Sequence, residues 1–312
     1  MTVGVQCVAA IDCGTNAVRL LVADIDTDGR LHERARLMRI VRLGEGVDRT
    51  GEFSEAALLR TFEALDEYAQ VMSEHDVART RFVATSASRD VSNREAFAAG
   101  VLARIGVPAD VITGEEEAAL SFSGALRGLP AGLASMPSLV MDIGGGSTEF
   151  VLGSSHPDRS ISVDIGCVRL TERHLAGDPP TAAQVALTQA DIDTALERVT
   201  ASVPMAQAQC LVGLAGTVTT VAAMAMDLDR YDASVLHGSV VSAGAVHAVT
   251  ETLVAMTRSE RAALPFMHPG RVDVIAAGAM ILRSAMAAGG FASVIVSETD
   301  ILDGIVYSMT PS

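Results

Sequence analysis

The chain contains neither lysine nor tryptophan, and aromatic residues make up only 4% of its 312 positions. Its 23 basic residues are therefore all arginines. A P-loop nucleotide hydrolase binds its phosphates with a lysine, so the missing lysine excludes that class of enzyme. Enzymes that form a Schiff base through a lysine are excluded for the same reason.

Cysteine is also scarce, with four residues scattered along the chain and no Cys-x-x-Cys pair. This spacing is typical of neither a disulfide framework nor a zinc site, and it predicts small buried residues in a reducing compartment. A redox role for Cys13, which lies in a glycine-rich turn, is the minor alternative. The sequence has no signal-peptide pattern and no apolar run long enough to span a bilayer. We therefore expect a cytoplasmic protein without a membrane segment.

Acidic residues outnumber basic ones and give a formal net charge of −15. Nucleic acids and anionic membranes need broad basic surfaces, so this charge argues against both as partners. A small polyanionic substrate remains compatible, because a local group of arginines and a metal can hold it. With 49% hydrophobic and 20% charged residues, the chain is expected to fold as a globular protein with room for two domains.

Two glycine-rich turns, each preceded by an aspartate at the end of an apolar run, are the most informative motifs. The first spans residues 10–16 (Ala-Ile-Asp-Cys-Gly-Thr-Asn) and the second spans residues 140–149 (Val-Met-Asp-Ile-Gly-Gly-Gly-Ser-Thr-Glu). Small residues let a backbone approach a ligand, and the N–H groups of such a turn bind phosphate oxygens. The aspartate is placed to hold a divalent cation or to orient water. One such turn also fits an ordinary hairpin, whereas the matched pair predicts a phosphate clamp.

The hydrophobic pattern around these turns repeats once along the chain. It predicts strands at 3–11, 18–25, 35–43, 81–85 and 110–112 in the first half, and at 138–143, 149–153, 161–165, 210–214 and 293–297 in the second. It predicts helices at 55–75, from about Asn93, from Gly114 to about Leu126, at 181–201 and from Asp300, and mostly helix between the turn at 214–217 and the strand at 293–297. Ser54 is the expected N-cap of the first of these helices. Residues 127–137, rich in Gly, Ala and Pro, are expected to form a loop at a domain boundary, so the repeat predicts two similar α/β domains.

Three further motifs follow predicted strands. Residues 84–90 carry hydroxyl side chains and Arg89, which grips an anion in one interpretation and belongs to an ordinary loop in the other. Residues 114–117 (Gly-Glu-Glu-Glu) either favour the helix dipole or supply a general base, and the residues alone do not distinguish the three glutamates. Residues 213–217 (Gly-Leu-Ala-Gly-Thr) suit a distal phosphate or a nucleoside. The arginines around the third strand are expected to be solvated or to line an anionic groove; they are Arg34, Arg36, Arg39 and Arg42.

In their order along the chain, these motifs resemble the exopolyphosphatase/guanosine pentaphosphatase (Ppx/GppA) phosphatase family, in a short form without the additional C-terminal domain of longer members. The resemblance covers nearly the whole chain and includes residues 41–46, 271–275 and 303–304. It implies an α/β fold of the actin-like ATPase/sugar kinase (ribonuclease H-like) superfamily, with two similar domains and an interdomain cleft. The domains are expected at 1–126, completed by the C-terminal helix 299–312, and at 127–298.

The resemblance also implies a metal-dependent site with defined residue roles. Glu117 is the expected general base, and Glu149 is a second catalytic carboxylate that positions water. Asp142 and Glu149 are the expected carboxylates of a site for Mg²⁺ (or Mn²⁺). The expected substrate-binding residues combine small turn residues with arginines: Gly14, Thr15, Asn16, Arg19, Ser86, Arg89, Gly145, Gly146, Ser147, Thr148, Gly216, Thr217 and Arg271.

The sequence departs from the family pattern at a few positions. Ala17 stands where serine is more usual, which removes a hydroxyl from the first turn. Acidic residues occupy the segment from Glu298 to Asp303, where some members have arginine. The chain ends at residue 312 without the extra helical domain, which makes short polyphosphates the expected substrates.

The implied function is that of an exopolyphosphatase, a phosphoanhydride hydrolase that releases terminal orthophosphate from inorganic polyphosphate. The first alternative is hydrolysis of the 5′ γ-phosphate of guanosine pentaphosphate. A sugar or carboxylate kinase of the same superfamily is a second alternative, which the motif at 114–117 disfavours. A non-catalytic regulator that binds polyphosphate or an alarmone is the alternative of another class. Apolar helices leave a homodimer open, and no seam in the sequence selects one.

Overall fold

The structure is a computed structural model that describes residues 6–27, 29–89, 91–129 and 136–310. Predicted strand residues 3–5, Asp90 and predicted loop residues 130–135 lie outside the described ranges. The chain divides into two compact units. The first runs to Gly124 and takes in the residues from Ile301 onward, and the second runs from Ala125 to Asp300.

The first unit is built on a mixed β-sheet. Its strands are β1 (Gln6–Cys13), β2 (Ala17–Ile25), β3 (Leu31–Ile40), β4 (Arg79–Ala84) and β5 (Ala109–Val111). They occur in the order β3-β2-β1-β4-β5, with an antiparallel meander on one side of β1 and two parallel neighbours on the other. Side chains alternate along β1, so Ile11 packs into one core cluster and Ala10 into another. Both faces of this sheet are therefore buried.

Helices of the first unit cover the two faces. They are α1 (Val47–Thr50), α2 (Glu55–Glu74), α3 (Ser86–Arg89), α4 (Arg94–Ile105), α5 (Gly114–Gly128), which crosses the boundary between the units, and α13 (Ile301–Ser308). Leu65 of α2 and Phe97 of α4 pack on the Ile11 face, and Ile305 of α13 packs on the opposite face. Ser54 Oγ accepts a hydrogen bond from the Ala57 amide at 3.2 Å, which confirms the predicted cap of α2.

The second unit repeats this sheet topology. Its strands are β6 (Ser138–Ile143), β7 (Thr148–Gly153), β8 (Pro157–Val163), β9 (Cys210–Leu214), β10 (Val240–Ser242) and β11 (Ser293–Val296). They occur in the order β10-β11-β9-β6-β7-β8. From β8 to β11 the order and the strand directions match those from β3 to β5 in the first unit, and β10 adds an antiparallel edge strand. The prediction of two similar α/β units is confirmed.

The helices of the second unit pack largely on one face of its sheet. They are α6 (Cys167–His174), α7 (Ala182–Ser202), α8 (Ala215–Ala225), α9 (Ala233–Leu236), α10 (Ala243–Ala255), α11 (Arg258–Ala262) and α12 (Ile275–Gly289). Met141 and Phe150 of the sheet share a core cluster with Leu196 of α7 and Met280 of α12. A capping box between Thr181 and residue 184 starts α7.

Most predicted elements are present, and those that were missed are short. Strands 138–143 and 210–214 have the predicted bounds. The sequence pattern gave no sign of α3, α6 or β10, because an element of three to eight residues has too few positions to display a period. Among the described helices, none combines the length and apolar character that a membrane crossing requires.

Candidate active site

The first glycine-rich turn joins β1 to β2 and is braced by a neighbouring loop. The Gly14 amide donates to the Ala17 carbonyl at 2.9 Å and closes the turn. The carbonyls of Thr15 and Asn16 accept hydrogen bonds of 2.8–3.1 Å from backbone amides of loop 41–44. Because a trans peptide is planar, its N–H points away from its C=O. The amides that follow these two carbonyls therefore point away from the loop.

The loop approaches this turn so closely that only glycine fits at residue 44. A Cβ atom on Gly44 would lie 2.3 Å from Thr15 Cγ2. Thr15 is buried, and Asn16 is half-buried. The turn therefore has a fixed backbone shape, which is what a phosphate-binding turn needs.

A buried ion pair lies directly below this turn. Asp12 and Arg19 are register partners on β1 and β2, and Asp12 is 4% exposed. Asp12 Oδ2 accepts from Arg19 Nη2 at 2.6 Å and from Nε at 3.0 Å. Arg19, which the resemblance assigns to substrate binding, thus neutralises the aspartate of its own turn.

The structure distinguishes the three glutamates at the start of α5. Glu115 and Glu116 are exposed, and Glu116 forms an ion pair with Arg81 at 2.5 Å. Glu117 is 8% exposed, and its Oε2 accepts from Arg89 Nη1 at 2.8 Å. The same guanidinium nitrogen donates to a backbone carbonyl at 3.1 Å, which fixes the position of the Arg89–Glu117 pair.

Three predicted site segments of the first unit meet at one edge of its sheet. The turn 14–16, helix α3 and the start of α5 follow β1, β4 and β5, which are parallel neighbours. Ser86 is 4% exposed, and within the described ranges its hydroxyl has no hydrogen-bond partner. The carboxyl edge of parallel strands is the usual place for a ligand site in α/β sheets.

The second glycine-rich turn has the same closure as the first. The Gly144 amide donates to the Ser147 carbonyl at 3.0 Å. The carbonyls of residues 144–146 are all engaged by the first turn of α6, in hydrogen bonds donated by the amides of Cys167, Val168 and Arg169 and by Arg169 Nε. By the planarity of the peptide, the N–H groups of Gly145, Gly146 and Ser147 point away from α6. These are amides that the sequence motif assigned to phosphate.

Two carboxylates lie side by side at the base of the second turn. Asp142 and Glu149 are register partners on β6 and β7, so their side chains lie on the same face of the sheet. They are 8% and 1% exposed, and Glu149 Oε1 accepts from the Ser162 hydroxyl at 2.7 Å. In the first unit the matching register positions hold an aspartate and an arginine. The second unit therefore has an acid–acid pair where the first has an acid–base pair.

The donor set of this acid–acid pair fits a hard divalent cation. Within the described ranges, no group of three or more His, Cys, Asp or Glu side chains is placed to hold a metal. Mg²⁺ is usually bound by one or two carboxylates together with substrate phosphates and several waters. Asp142 and Glu149 supply oxygen ligands only, which suits Mg²⁺ or Mn²⁺.

The third small-residue turn lies beside the second turn in the same sheet. Strand β9 is the parallel neighbour of β6, and the turn at its end begins α8. Ala215 has φ 64°, and a Cβ on Gly216 would lie 2.3 Å from the Arg271 guanidinium. Arg271 Nη1 donates to Thr220 Oγ1 at 3.1 Å. The structure thus brings Arg271 and Gly216, two predicted binding residues, into contact.

Two other interpretations of the sequence are not supported. Cys13 is buried, and desolvation, followed by the nearby Asp12, raises the pKa of its thiol well above the ordinary value, so its thiol is protonated and unreactive. Of the arginines near the third strand, Arg34 pairs with Asp24, Arg36 with Glu33 and Asp303, and Arg39 with Glu67. All three are therefore engaged in ion pairs, and the partners Asp24 and Asp303 are buried.

Several residues that contact these turns, or Arg271 beside the third, are not among the predicted site residues. Arg169 braces the second turn from α6, Gly166 lies against that turn just before α6, and Tyr231 and Glu298 lie near Arg271. Local spacing does not show these contacts, because each contact joins segments that are distant in sequence. The isolated glycine at 166 is the one local feature of this set that is typical of a close backbone approach.

Substituting Gly166 by alanine is expected to destabilise the second turn. The new Cβ would lie 2.3 Å from the Gly145 carbonyl oxygen and 2.6 Å from the Gly146 nitrogen, and backbone atoms do not give way as flexible side chains do. We expect the free energy of unfolding to fall by about 1–3 kcal/mol in urea denaturation.

Gly244→Ala is the matched control for this substitution. A Cβ there meets nothing within 4 Å, and Gly244 lies in α10. Its free energy of unfolding should stay equal or rise by about 0.5–1 kcal/mol, because alanine favours a helix over glycine. Equal stability of the two variants would contradict the close contact between Gly166 and the second turn.

Comparison with known proteins places the chain among proteins of this architecture. The model of the Ppx/GppA phosphatase family matches residues 21–312. Exopolyphosphatase 2 of Mycobacterium tuberculosis is 49% identical over 314 residues, which cover 97% of this chain and 98% of that protein. The crystal structure of an exopolyphosphatase-like protein superposes with a TM-score of 0.93 at 42% identity and covers 97% of both chains. Guanosine-5′-triphosphate,3′-diphosphate pyrophosphatase of Vibrio cholerae is 36% identical over 167 residues, or 53% of this chain and 33% of that protein.

The extent of the family match agrees with the internal features of the chain. Two sheets of one topology each carry an aspartate and a glycine-rich turn at corresponding strands. The match begins at residue 21, within β2, and so includes the second turn and the whole second sheet, while the first turn precedes it. This chain belongs to the Ppx/GppA phosphatase family.

Proposed function

We propose that this chain is an exopolyphosphatase that releases terminal orthophosphate from inorganic polyphosphate. The observation that carries the proposal is that two matching turns have different charged pairs at their base. The first unit has Asp12 and Arg19 there, and the second has Asp142 and Glu149. Two adjacent buried carboxylates favour a bound cation, whereas a neutralised turn favours direct binding of an anion. A polyphosphate complexed with a divalent cation satisfies both requirements.

In the proposed reaction, a water oxygen attacks the terminal phosphorus and the bridging P–O bond breaks. Glu117 accepts the proton of that water, and the products are orthophosphate and a chain shortened by one phosphate. The burial of Glu117 and its fixed contact with Arg89 support this role. Glu149, held by Ser162, is proposed to orient the water.

The phosphate oxygens are proposed to bind to backbone amides and arginines. The substrate-binding residues are Gly14, Thr15, Asn16, Arg19, Ser86, Arg89, Gly145, Gly146, Ser147, Thr148, Gly216, Thr217 and Arg271. Bracing of the first two turns, by loop 41–44 and by α6, supports their role because it orients the amides before substrate arrives. Arg19 and Arg89 are proposed to place a guanidinium near the phosphate oxygens while each stays paired with its carboxylate.

Asp142 and Glu149 are proposed to hold Mg²⁺ (or Mn²⁺). When bound, such an ion supplies positive charge that stabilises the phosphoryl oxygens in the transition state. The chain's own contribution is to hold two oxygen ligands on one face of a rigid sheet. A cytoplasmic location and a homodimer stay predictions.

Hydrolysis of guanosine pentaphosphate is the second candidate function. It is favoured by the partial match to the Vibrio cholerae protein, whose name states that activity. The bond that breaks is again a terminal phosphoanhydride, so the same residues would activate water and bind the metal and the phosphates. A non-catalytic regulator is less well supported, because simple binding of a polyanion gives no reason to bury Glu117, Asp142 and Glu149.

The proposal is tested by measuring phosphate release with Mg²⁺ from four substrates in parallel. These are tripolyphosphate, long-chain polyphosphate, guanosine pentaphosphate and ATP. We expect the fastest release from short polyphosphate. Fastest release from guanosine pentaphosphate would select the second candidate, and no release from any of them would contradict the enzymatic assignment.

A further inference from the structure

Arg271 is held by side chains that the proposed reaction does not use. The guanidinium carbon of Arg271 lies over the Tyr231 ring, 6.0 Å from its centroid. The Tyr231 hydroxyl donates to Glu298 Oε1 at 2.6 Å. The ring is thus fixed at its hydroxyl end while its π face meets the cation.

Glu298 is itself anchored through its backbone. Its amide donates to His237 Nδ1 at 3.1 Å, so the proton of a neutral His237 lies on Nε2, which donates to the Gly128 carbonyl at 2.8 Å. Burial, reinforced by the nearby Glu298, raises the pKa of Tyr231 to about 12, so the phenol remains a donor at neutral pH. The contact between tyrosine and glutamate therefore persists under ordinary conditions.

On its other side, Arg271 is confined by the start of α8. Its guanidinium occupies the space that a Cβ on Gly216 would need, and Thr220 accepts one of its N–H groups. His268 Nδ1 accepts from the Gly270 amide at 3.1 Å and so shapes the short turn that carries Arg271. An arginine normally loses much rotamer freedom when it binds an anion, and confinement before binding removes part of that cost.

We infer that Tyr231 and Glu298 are positioning residues that hold the Arg271 guanidinium beside Gly216 in the orientation that binds a phosphate group. This inference rests on the proposed function, in which Arg271 binds substrate. Tyr231 and Glu298 are not required to touch the substrate, so their influence on binding passes through Arg271. The effect of a Tyr231 or Glu298 substitution on phosphate binding should therefore depend on Arg271, and a double-mutant cycle with Arg271→Ala measures this dependence.

The experiment measures the dissociation constant of inorganic tripolyphosphate with Mg²⁺ by calorimetry, in the Glu117→Gln background to prevent hydrolysis. Tyr231→Leu removes the ring and is expected to weaken binding about tenfold. Tyr231→Phe keeps the ring but loses the hydrogen bond to Glu298, and about threefold weaker binding is expected. In a chain that also carries Arg271→Ala, both effects should disappear, because the residue they act through is gone.

Glu298 variants separate the hydrogen bond from the charge. Glu298→Gln keeps an oxygen that accepts from Tyr231 and removes a negative charge near Arg271, so binding should equal or exceed that of the background chain. Glu298→Ala should weaken binding about threefold, like Tyr231→Phe. Val235→Ala, at an exposed position just after Tyr231, is the control and should change nothing.

The outcomes distinguish this inference from the proposed function. Effects of Tyr231→Phe and Glu298→Ala that persist undiminished with Arg271→Ala would overturn the inference while leaving tripolyphosphate binding intact. No binding of tripolyphosphate by the background chain would overturn both. If Tyr231→Leu lowers the melting temperature strongly, Tyr231→Phe and Glu298→Ala carry the same test, because they leave the backbone contacts of the segment in place.

Discussion

Replacing Glu117 by glutamine is expected to lower the turnover number for phosphate release by about 10²–10⁴-fold. Glutamine has nearly the same shape and keeps an oxygen that accepts from Arg89, so the fold should be unaffected. It cannot take a proton from the attacking water, so only the chemical step suffers. Because Arg89 loses a charged partner, affinity for the polyanion should stay equal or rise. Steady-state phosphate release and calorimetric binding of tripolyphosphate measure the two quantities separately.

Glu115→Gln is the matched control for this substitution. It removes the same charge two residues earlier in α5, from an exposed side chain. We expect wild-type turnover and an unchanged melting temperature for the control. If Glu117→Gln also kept wild-type turnover, Glu117 would not be the base. If both variants lost turnover equally, the general acidity of this helix start would matter rather than one carboxylate.

Replacing Asp142 by asparagine is expected to lower kcat/KM at a fixed Mg²⁺ concentration by about 10²-fold or more. The amide keeps one oxygen but removes the negative charge from the acid–acid pair with Glu149. The Mg²⁺ concentration for half-maximal activity should therefore rise, and high Mg²⁺ should restore part of the activity. Phosphate release measured as a function of Mg²⁺ tests both expectations.

Asp193→Asn controls for the loss of one negative charge from the second unit. Asp193 is exposed on α7, and Asn can still accept from Gln189, which donates to Asp193 at 2.7 Å in the wild type. Its Mg²⁺ dependence should match that of the wild type. If Asp142→Asn lost activity without any change in Mg²⁺ dependence, the proposed metal role of Asp142 would be contradicted. A role in orienting water would then be favoured.

Local sequence features account for the two glycine turns but not for the partners of the predicted site residues. Glycine turns at strand ends are local features, since neighbouring residues determine them, and both predicted turns are present. The sequence names Arg19 and Arg89 as candidate cations, whereas their carboxylate partners depend on strand register and on a contact with α5. Pairs of that kind join residues that no local spacing connects.

Corresponding strands of the two units also differ in a way that motifs alone do not reveal. Each turn shows an aspartate before its glycines, and the residue seven positions later is Arg19 in one case and Glu149 in the other. Only the pairing of the strands shows that these residues lie directly opposite Asp12 and Asp142. The register is the same in both units, so the different residues at positions 19 and 149 give the first turn an acid–base pair and the second an acid–acid pair.

The sequence by itself determined the α/β class, the internal repeat and the two glycine-rich turns, because hydrophobic period and turn chemistry are short-range properties. The tertiary structure decided which glutamate of residues 115–117 is buried, because burial depends on the orientation of α5 against its sheet. It also decided that α6 braces the second turn and that Tyr231 faces Arg271. Those features arise from contacts between segments far apart in the chain, and short-range patterns in the sequence do not encode such contacts.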